Sequence, residues 1–192
     1  MNDILAALEP VVDAFDALLI RYRVGGSVAS SALGVPRSTL DVDVVCEMDL
    51  KHIDPFVARL VAAYFVDAEM ICEAIRRRSS FNLIHLASML KVDVFVRKNR
   101  AFDVQAFERC VRKPLDVSAG ARAFDLTTAE DVILHKLEWY RLGGGVSERQ
   151  WLDLIGVMRV QSDSLDLEYL RRWAREIECT DLLERAVIEA AG

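Results

Sequence analysis

Cysteine is scarce and scattered. The four thiols, Cys46, Cys72, Cys110 and Cys179, lie far apart with no Cys-x-x-Cys pair. That argues against a disulfide framework and for a reducing compartment. Histidine is rarer still: His52, His85 and His135 show no ligand spacing, which argues against a zinc site. No apolar run reaches membrane-spanning length, and Met1-Asn2-Asp3-Ile4 lacks the basic region of a secretory signal. The expectation is a soluble, cytoplasmic protein that uses no membrane. Positive charge is also short, with 24 Lys and Arg against 30 Asp and Glu, a net charge of −6. A surface that binds nucleic acid everywhere is thereby disfavoured, while a local basic groove stays open.

What is present suits a globular domain, with or without a small appendage. The 192 residues are 53% hydrophobic and 28% charged, enough to bury a proper core. No internal repeat or low-complexity tract interrupts them.

Apolar residues from Ile4 to Leu19 recur at helical spacing, with Pro10 as a kink or restart point. Tyr22 to Val24 reads as a short strand, Val28 to Leu33 as a helix closed by Gly34 and Pro36, and Leu40 to Cys46 as a valine-rich strand. Helices follow at Pro55–Tyr64 and Ala68–Arg77, then an antiparallel strand pair at Phe81–Leu86 and Met89–Val96. A helix near Val104–Val111 and a strand at Ala123–Leu126 complete an α+β segment over 1–126. From Thr127 the pattern is wholly helical: Thr128–Leu142, Ser147–Val160, Leu167–Glu178 and Thr180–Ala190. Residues 127–192 therefore read as a helical segment packed on the first and completing a cleft between them.

Chemistry concentrates in two stretches of the first segment. Strand side chains alternate, so Asp41 and Asp43 share one face while Val42 and Val44 enter the core. Carboxylates so spaced suit hard, oxygen-loving cations such as magnesium, although two ordinary acids on a solvated strand give the same pattern. Asp93 is a further acid amid β-branched residues on the later strand. If that strand lies beside the first, it is a third metal ligand or a general base; otherwise it is a surface acid. Gly25-Gly26-Ser27 stands at a strand-to-helix turn, where glycines admit a phosphate and helix amides face it. There Ser27 is placed to cap the helix and touch a phosphate oxygen.

This combination resembles the nucleotidyltransferase superfamily that shares its fold with DNA polymerase beta. The likeness rests on Gly25-Gly26-Ser27, Asp41-Val42-Asp43 and Asp93, in order across residues 22–96. It implies a mixed, twisted sheet flanked by helices. It also implies transfer of a nucleoside monophosphate from a triphosphate to an acceptor hydroxyl, releasing pyrophosphate. Asp41, Asp43 and Asp93 would hold Mg2+ (or Mn2+), and Gly25, Gly26 and Ser27 would cradle the nucleotide, ATP included.

A second, looser likeness runs through Thr127–Leu137 and Ser147–Leu154. It is to small stand-alone bacterial nucleotidyltransferases that include abortive-infection toxins of toxin–antitoxin systems. It implies that Lys136 and Asp153 complete the site, although Gln150 departs from the usual acid. Lys136 sits on the apolar stripe of Val132, Ile133, Leu137, Trp139 and Tyr140, where a buried ammonium needs an anion or must snorkel out. Asp153 lies opposite the apolar face of Trp151, Leu152, Ile155 and Met158, toward either cleft or solvent.

Arg37 is a candidate phosphate contact. Lys91, sharing the face of Asp93, is another or merely offsets its charge. Arg76-Arg77-Arg78 reads as a solvated helix end or an RNA guide. Transfer RNA or other RNA, a protein and a small molecule such as an antibiotic are all open as acceptors. The alternative function is a catalytically silent nucleotide- or partner-binding module.

Overall fold

A computed structural model describes residues 2–116 and 120–192. The chain opens with helix α1 (Asn2–Ala17), unbroken by Pro10, and then strand β1 (Tyr22–Val24). Helix α2 (Gly26–Leu33) leads to strand β2 (Asp41–Cys46), a 3-10 turn (Leu50–His52) and helix α3 (Ile53–Leu60). Strand β3 (Tyr64–Phe65), helix α4 (Ala68–Arg77), strand β4 (Ser80–His85) and strand β5 (Lys91–Val96) follow. Helix α5 (Ala101–Glu108) precedes strands β6 (Val111–Pro114) and β7 (Ala123–Leu126). The remainder is helical: α6 (Ala129–Leu142), α7 (Glu148–Val160), α8 (Leu167–Glu176) and α9 (Thr180–Ala191).

The strands form one mixed, seven-stranded sheet in the order β3-β4-β5-β2-β1-β7-β6. Strands β2 and β5 lie parallel at its centre, and β1 pairs antiparallel with β2 and parallel with β7. Alternation decides which side each residue faces. In β2, Val42, Val44 and Cys46 are fully buried, and in β5 so are Val92 and Val94. They join residues of α1, α3 and α4 in one apolar cluster, leaving the aspartates on the opposite face. The helical half builds a second cluster from α6 to α9, which also takes in Ala29 and Leu33 of α2 and Phe102 and Ala106 of α5.

Several elements differ from the sequence reading for identifiable reasons. The helix expected over Pro55–Tyr64 ends at Leu60, because Tyr64 pairs with His85 in β3 and its hydroxyl donates to the Ala7 carbonyl at 2.8 Å. The helix expected at Val104–Val111 spans Ala101–Glu108, because Val111 pairs with Leu126 in β6. Helix α2 begins two residues early, at Gly26, with Gly25 as its N-cap. Thr128 caps α6, its hydroxyl accepting from the Asp131 amide. Around the candidate site, the expected apolar faces lose two members: Trp139 is 50% exposed and Leu152 is also exposed.

Candidate active site

The site is built where β1 hands over to α2. The Gly25 amide donates to the Asp43 carbonyl at 2.9 Å, pinning the turn against β2. Gly26 follows at φ +52°, a left-handed conformation that a side chain resists. A Cβ there would lie 1.7 Å from the Asp43 carboxylate, so the acid sits directly against the glycine. The backbone of Ser27 lies close enough to that carboxylate to favour its charged form.

Gly26→Ala would expel Asp43 from this position. For the divalent ion proposed below, the expected outcome is loss of binding, read by calorimetry, in a protein whose far-ultraviolet circular dichroism is unchanged.

Strand pairing brings Asp93 alongside. In the parallel β2–β5 ladder, Asp43 is the direct partner of Asp93 and Asp41 that of Lys91. Direct partners project from the same face with Cα atoms about 4.8 Å apart. Burial, and next the negative charge of Asp93, raise the Asp43 carboxyl above its usual range. Two carboxylates crowded in this way favour either a proton or a cation between them. Lys91 lies 2.8 Å from Asp93, so of its two expected roles the structure displays charge offset. Among the described residues, no three side chains are drawn into a ready-made metal cluster. The all-oxygen, paired character of Asp43 and Asp93 nevertheless fits a hard divalent ion, with Asp41 on the exposed end of the same face.

The second half of the site is a cationic relay centred on Asp153. Arg37 grips this carboxylate with two prongs, Nε to Oδ1 at 2.6 Å and Nη2 to Oδ2 at 2.7 Å. Lys136 Nζ reaches Oδ2 at 2.8 Å. The side chains of Asp153 and Lys136 are only 6% and 9% exposed, and that of Arg37 is 25% exposed. Burial alone would raise the Asp153 carboxyl; hydrogen bonds from Arg37 and then Lys136 outweigh it and hold the group below its usual range.

Arg37 Nη2 also donates to Ser27 Oγ at 2.7 Å. Ser27 therefore does not cap α2 with its side chain, as expected from sequence; its hydroxyl is taken by Arg37. The expected residues Gly25, Gly26, Ser27, Arg37, Asp43, Asp93, Lys136 and Asp153 thus form a continuous set, with Asp41 at its rim.

What the sequence did not show is the bond between Arg37 and Asp153, 116 positions apart. Helix packing sets it up. A Cβ on Gly34 would lie 2.8 Å from the Val157 amide, so α7 can approach the end of α2 only because position 34 is bare. Asn82, the β4 partner of Asp93, is a further polar neighbour on this face that sequence analysis passed over. A lone asparagine in an alternating strand gives little signal.

Neither a known family model nor a curated protein sequence matches the chain. Solved structures do. The antibiotic-resistance factor ANT(2'')-Ia in solution aligns with 98% of this chain and 96% of its own, at 14% identity and a TM-score of 0.55. The same factor in complex with adenylyl-2''-tobramycin gives a TM-score of 0.60 at 14% identity, covering 92% and 97%. An antigenic nucleotidyltransferase-like protein from Paracoccidioides brasiliensis gives 0.52 at 18% identity, covering 92% and 88%. The chain has the nucleotidyltransferase fold, shared over nearly its whole length.

Proposed function

From this fold and geometry we propose that the protein is a divalent-metal-dependent nucleotidyltransferase. It would transfer a nucleoside monophosphate from a triphosphate, ATP among them, to a hydroxyl. The observation that carries the reading is the in-register pairing of Asp43 with Asp93, with Asp43 seated against Gly26.

Asp43 and Asp93, with Asp41 beside them, would hold Mg2+ or Mn2+. When bound, the ion would supply Lewis-acid stabilisation of charge on the phosphates. The Gly26 and Val28 amides find no acceptor among the described residues and would bond phosphate oxygens at the start of α2. Arg37 and Lys136 would offset triphosphate charge, held in place by Asp153. Asp93 would accept the acceptor's proton once an ion or substrate displaces Lys91 from it. No covalent enzyme intermediate is needed, because positioning and electrostatics supply most of the catalysis in phosphoryl-group chemistry.

The neighbouring ANT(2'')-Ia is a resistance factor with an adenylylated tobramycin bound in one structure. This gives weight to a small hydroxylated molecule, already open as an acceptor beside RNA and protein. Each α-labelled triphosphate is to be incubated with Mg2+, cell extract and a panel of hydroxylated small molecules. Label moving to one class, with stoichiometric pyrophosphate, is the expected result.

A second reading, a nucleotide-binding module without turnover, draws on the Lys91–Asp93 ion pair that already neutralises the third acid. It predicts saturable nucleotide binding with no pyrophosphate in any acceptor mixture, both for the wild type and for Lys91→Ala.

A further inference from the structure

A basic hollow lies at the opposite end of the central strands from the paired aspartates. Strands β2 and β5 finish together at Cys46 and Val96, where β1 begins. Just beyond these ends an open hollow of about 430 Å³ is lined by Arg21, Lys51, Arg78 and Arg97, together with Glu47 and Asp49. Four cations thus face two carboxylates, in a protein whose net charge is −6.

Both acids are committed. Glu47 accepts Arg21 Nε and Arg97 Nε, one on each oxygen, at 2.8 Å. Asp49 accepts the His52 amide in a capping box, while its own amide donates to His52 Nδ1 at 3.0 Å. The His52 ring therefore carries its proton on Nε2 and is a donor at that position.

The cations are not all committed. Arg21 spends its remaining nitrogens on Glu108. Arg78, at the left-handed C-cap of α4, gives Nη1 to the Arg97 carbonyl at 2.9 Å. Arg97 gives Nη1 to the Lys98 carbonyl. Among the described residues, Lys51 Nζ, Arg78 Nε and Nη2, and Arg97 Nη2 have no acceptor. Beneath them the guanidinium groups of Arg21, Arg23 and Arg97 crowd within 6 Å of the single ring of Phe107. Arg23 Nε is buried without a partner. Positive charge is concentrated here beyond what the local carboxylates neutralise.

We infer that this hollow is a second anion site, which takes a phosphate group through Lys51, Arg78, Arg97 and His52. Unpaired arginine forks match phosphate oxygens in geometry as well as charge. Asp43 and Cys46, the last residue of β2 before the hollow, are about 10 Å apart along the strand, so the hollow is separate from the transfer site. The inference does not depend on that site being active. The phosphate could be carried by a small anion or by the backbone of a nucleic acid, and the two sources respond differently to salt.

The test is an NMR titration of the isotope-labelled protein with inorganic pyrophosphate, followed by a single-stranded oligonucleotide. Expected are saturable shifts of the Arg78 and Arg97 Nε–H signals and of the amides of residues 47–52, on a curve distinct from that of residues 25–28. The Lys51→Gln/Arg78→Gln double variant should weaken the first curve by about tenfold or more and leave the second unchanged. Tighter binding of the oligonucleotide with a steep salt dependence would assign the site to nucleic acid; equal binding would assign it to a small anion. Failure of residues 47–52 and 78 to respond up to about 10 mM pyrophosphate, or an unaltered curve in the double variant, would overturn the inference.

Discussion

Replacing Asp43 by Asn yields a protein that melts higher than the wild type at neutral pH and transfers almost nothing. Both effects have one origin. Burial and the Asp93 charge raise the Asp43 carboxyl in the folded chain above its value in the unfolded chain. The folded state therefore binds this proton more tightly than the unfolded chain does. Below the unfolded value it is protonated in both states and costs nothing. As pH rises through the folded value, the full cost of a buried charge beside a like charge appears.

Asn removes that charge at nearly the same size, so the variant is relieved at pH 7 and above. Each 1 kcal/mol of relief raises the melting temperature by about 2–4 °C in a chain of this size. Activity moves the other way. An amide is a poor ligand for a hard cation, and transfer falls by roughly a thousandfold or more. Differential scanning fluorimetry at pH 5 and pH 8, beside a pyrophosphate-release assay, reads both effects. The stabilisation should be larger at pH 8.

Asp153→Ala is expected to lower stability sharply. It leaves Arg37 and Lys136 facing each other in a poorly solvated space with no anion between them. Removing one partner from a buried ion pair costs about 3–5 kcal/mol, a loss of roughly 6–20 °C here. The carboxyl is held below its usual range, so its contribution is fully present above the unfolded value. That contribution disappears as pH falls through the folded value.

The same depression makes Asp153 a weak proton acceptor, which argues for a positioning role over a catalytic base. Asp153→Asn separates the two roles. A base would lose kcat with KM for the triphosphate unchanged. A positioning residue would raise that KM, because Arg37 and Lys136 lose their alignment, and Asp153→Glu would restore part of it. Thermal melts of the three variants supply the stability arm.

How much of this was written in the sequence depends on the range of each interaction. Alternation in β2 and β5 was legible, because a strand that buries Val42, Val44, Val92 and Val94 must project Asp41, Asp43 and Asp93 from its other side. The turn at Gly25-Gly26 was legible too, but its tightness was not. Only the structure shows a carboxylate filling the volume that a Cβ at Gly26 would need.

The place of Lys136 on an apolar stripe left it either facing an anion or snorkelling to solvent, and gave no sign which anion that would be. Wheel geometry put Asp153 opposite an apolar face without saying what lay there. The answer depends on α7 packing against the end of α2 through Gly34, a contact between residues far apart in the chain. Short edge strands escaped for a related reason. Tyr64–Phe65 and Val111–Pro114 are too brief to show a period, and each is fixed by its partner strand.

The central claim is that Asp43 and Asp93 jointly bind a divalent ion beside the glycine turn. Mn2+ binding followed by electron paramagnetic resonance, with and without a non-hydrolysable triphosphate, tests it most directly. Wild-type protein should bind Mn2+ more tightly when the triphosphate is present, and Asp43→Asn and Asp93→Asn should each abolish that gain while remaining folded. Undiminished Mn2+ binding in both variants would contradict the account.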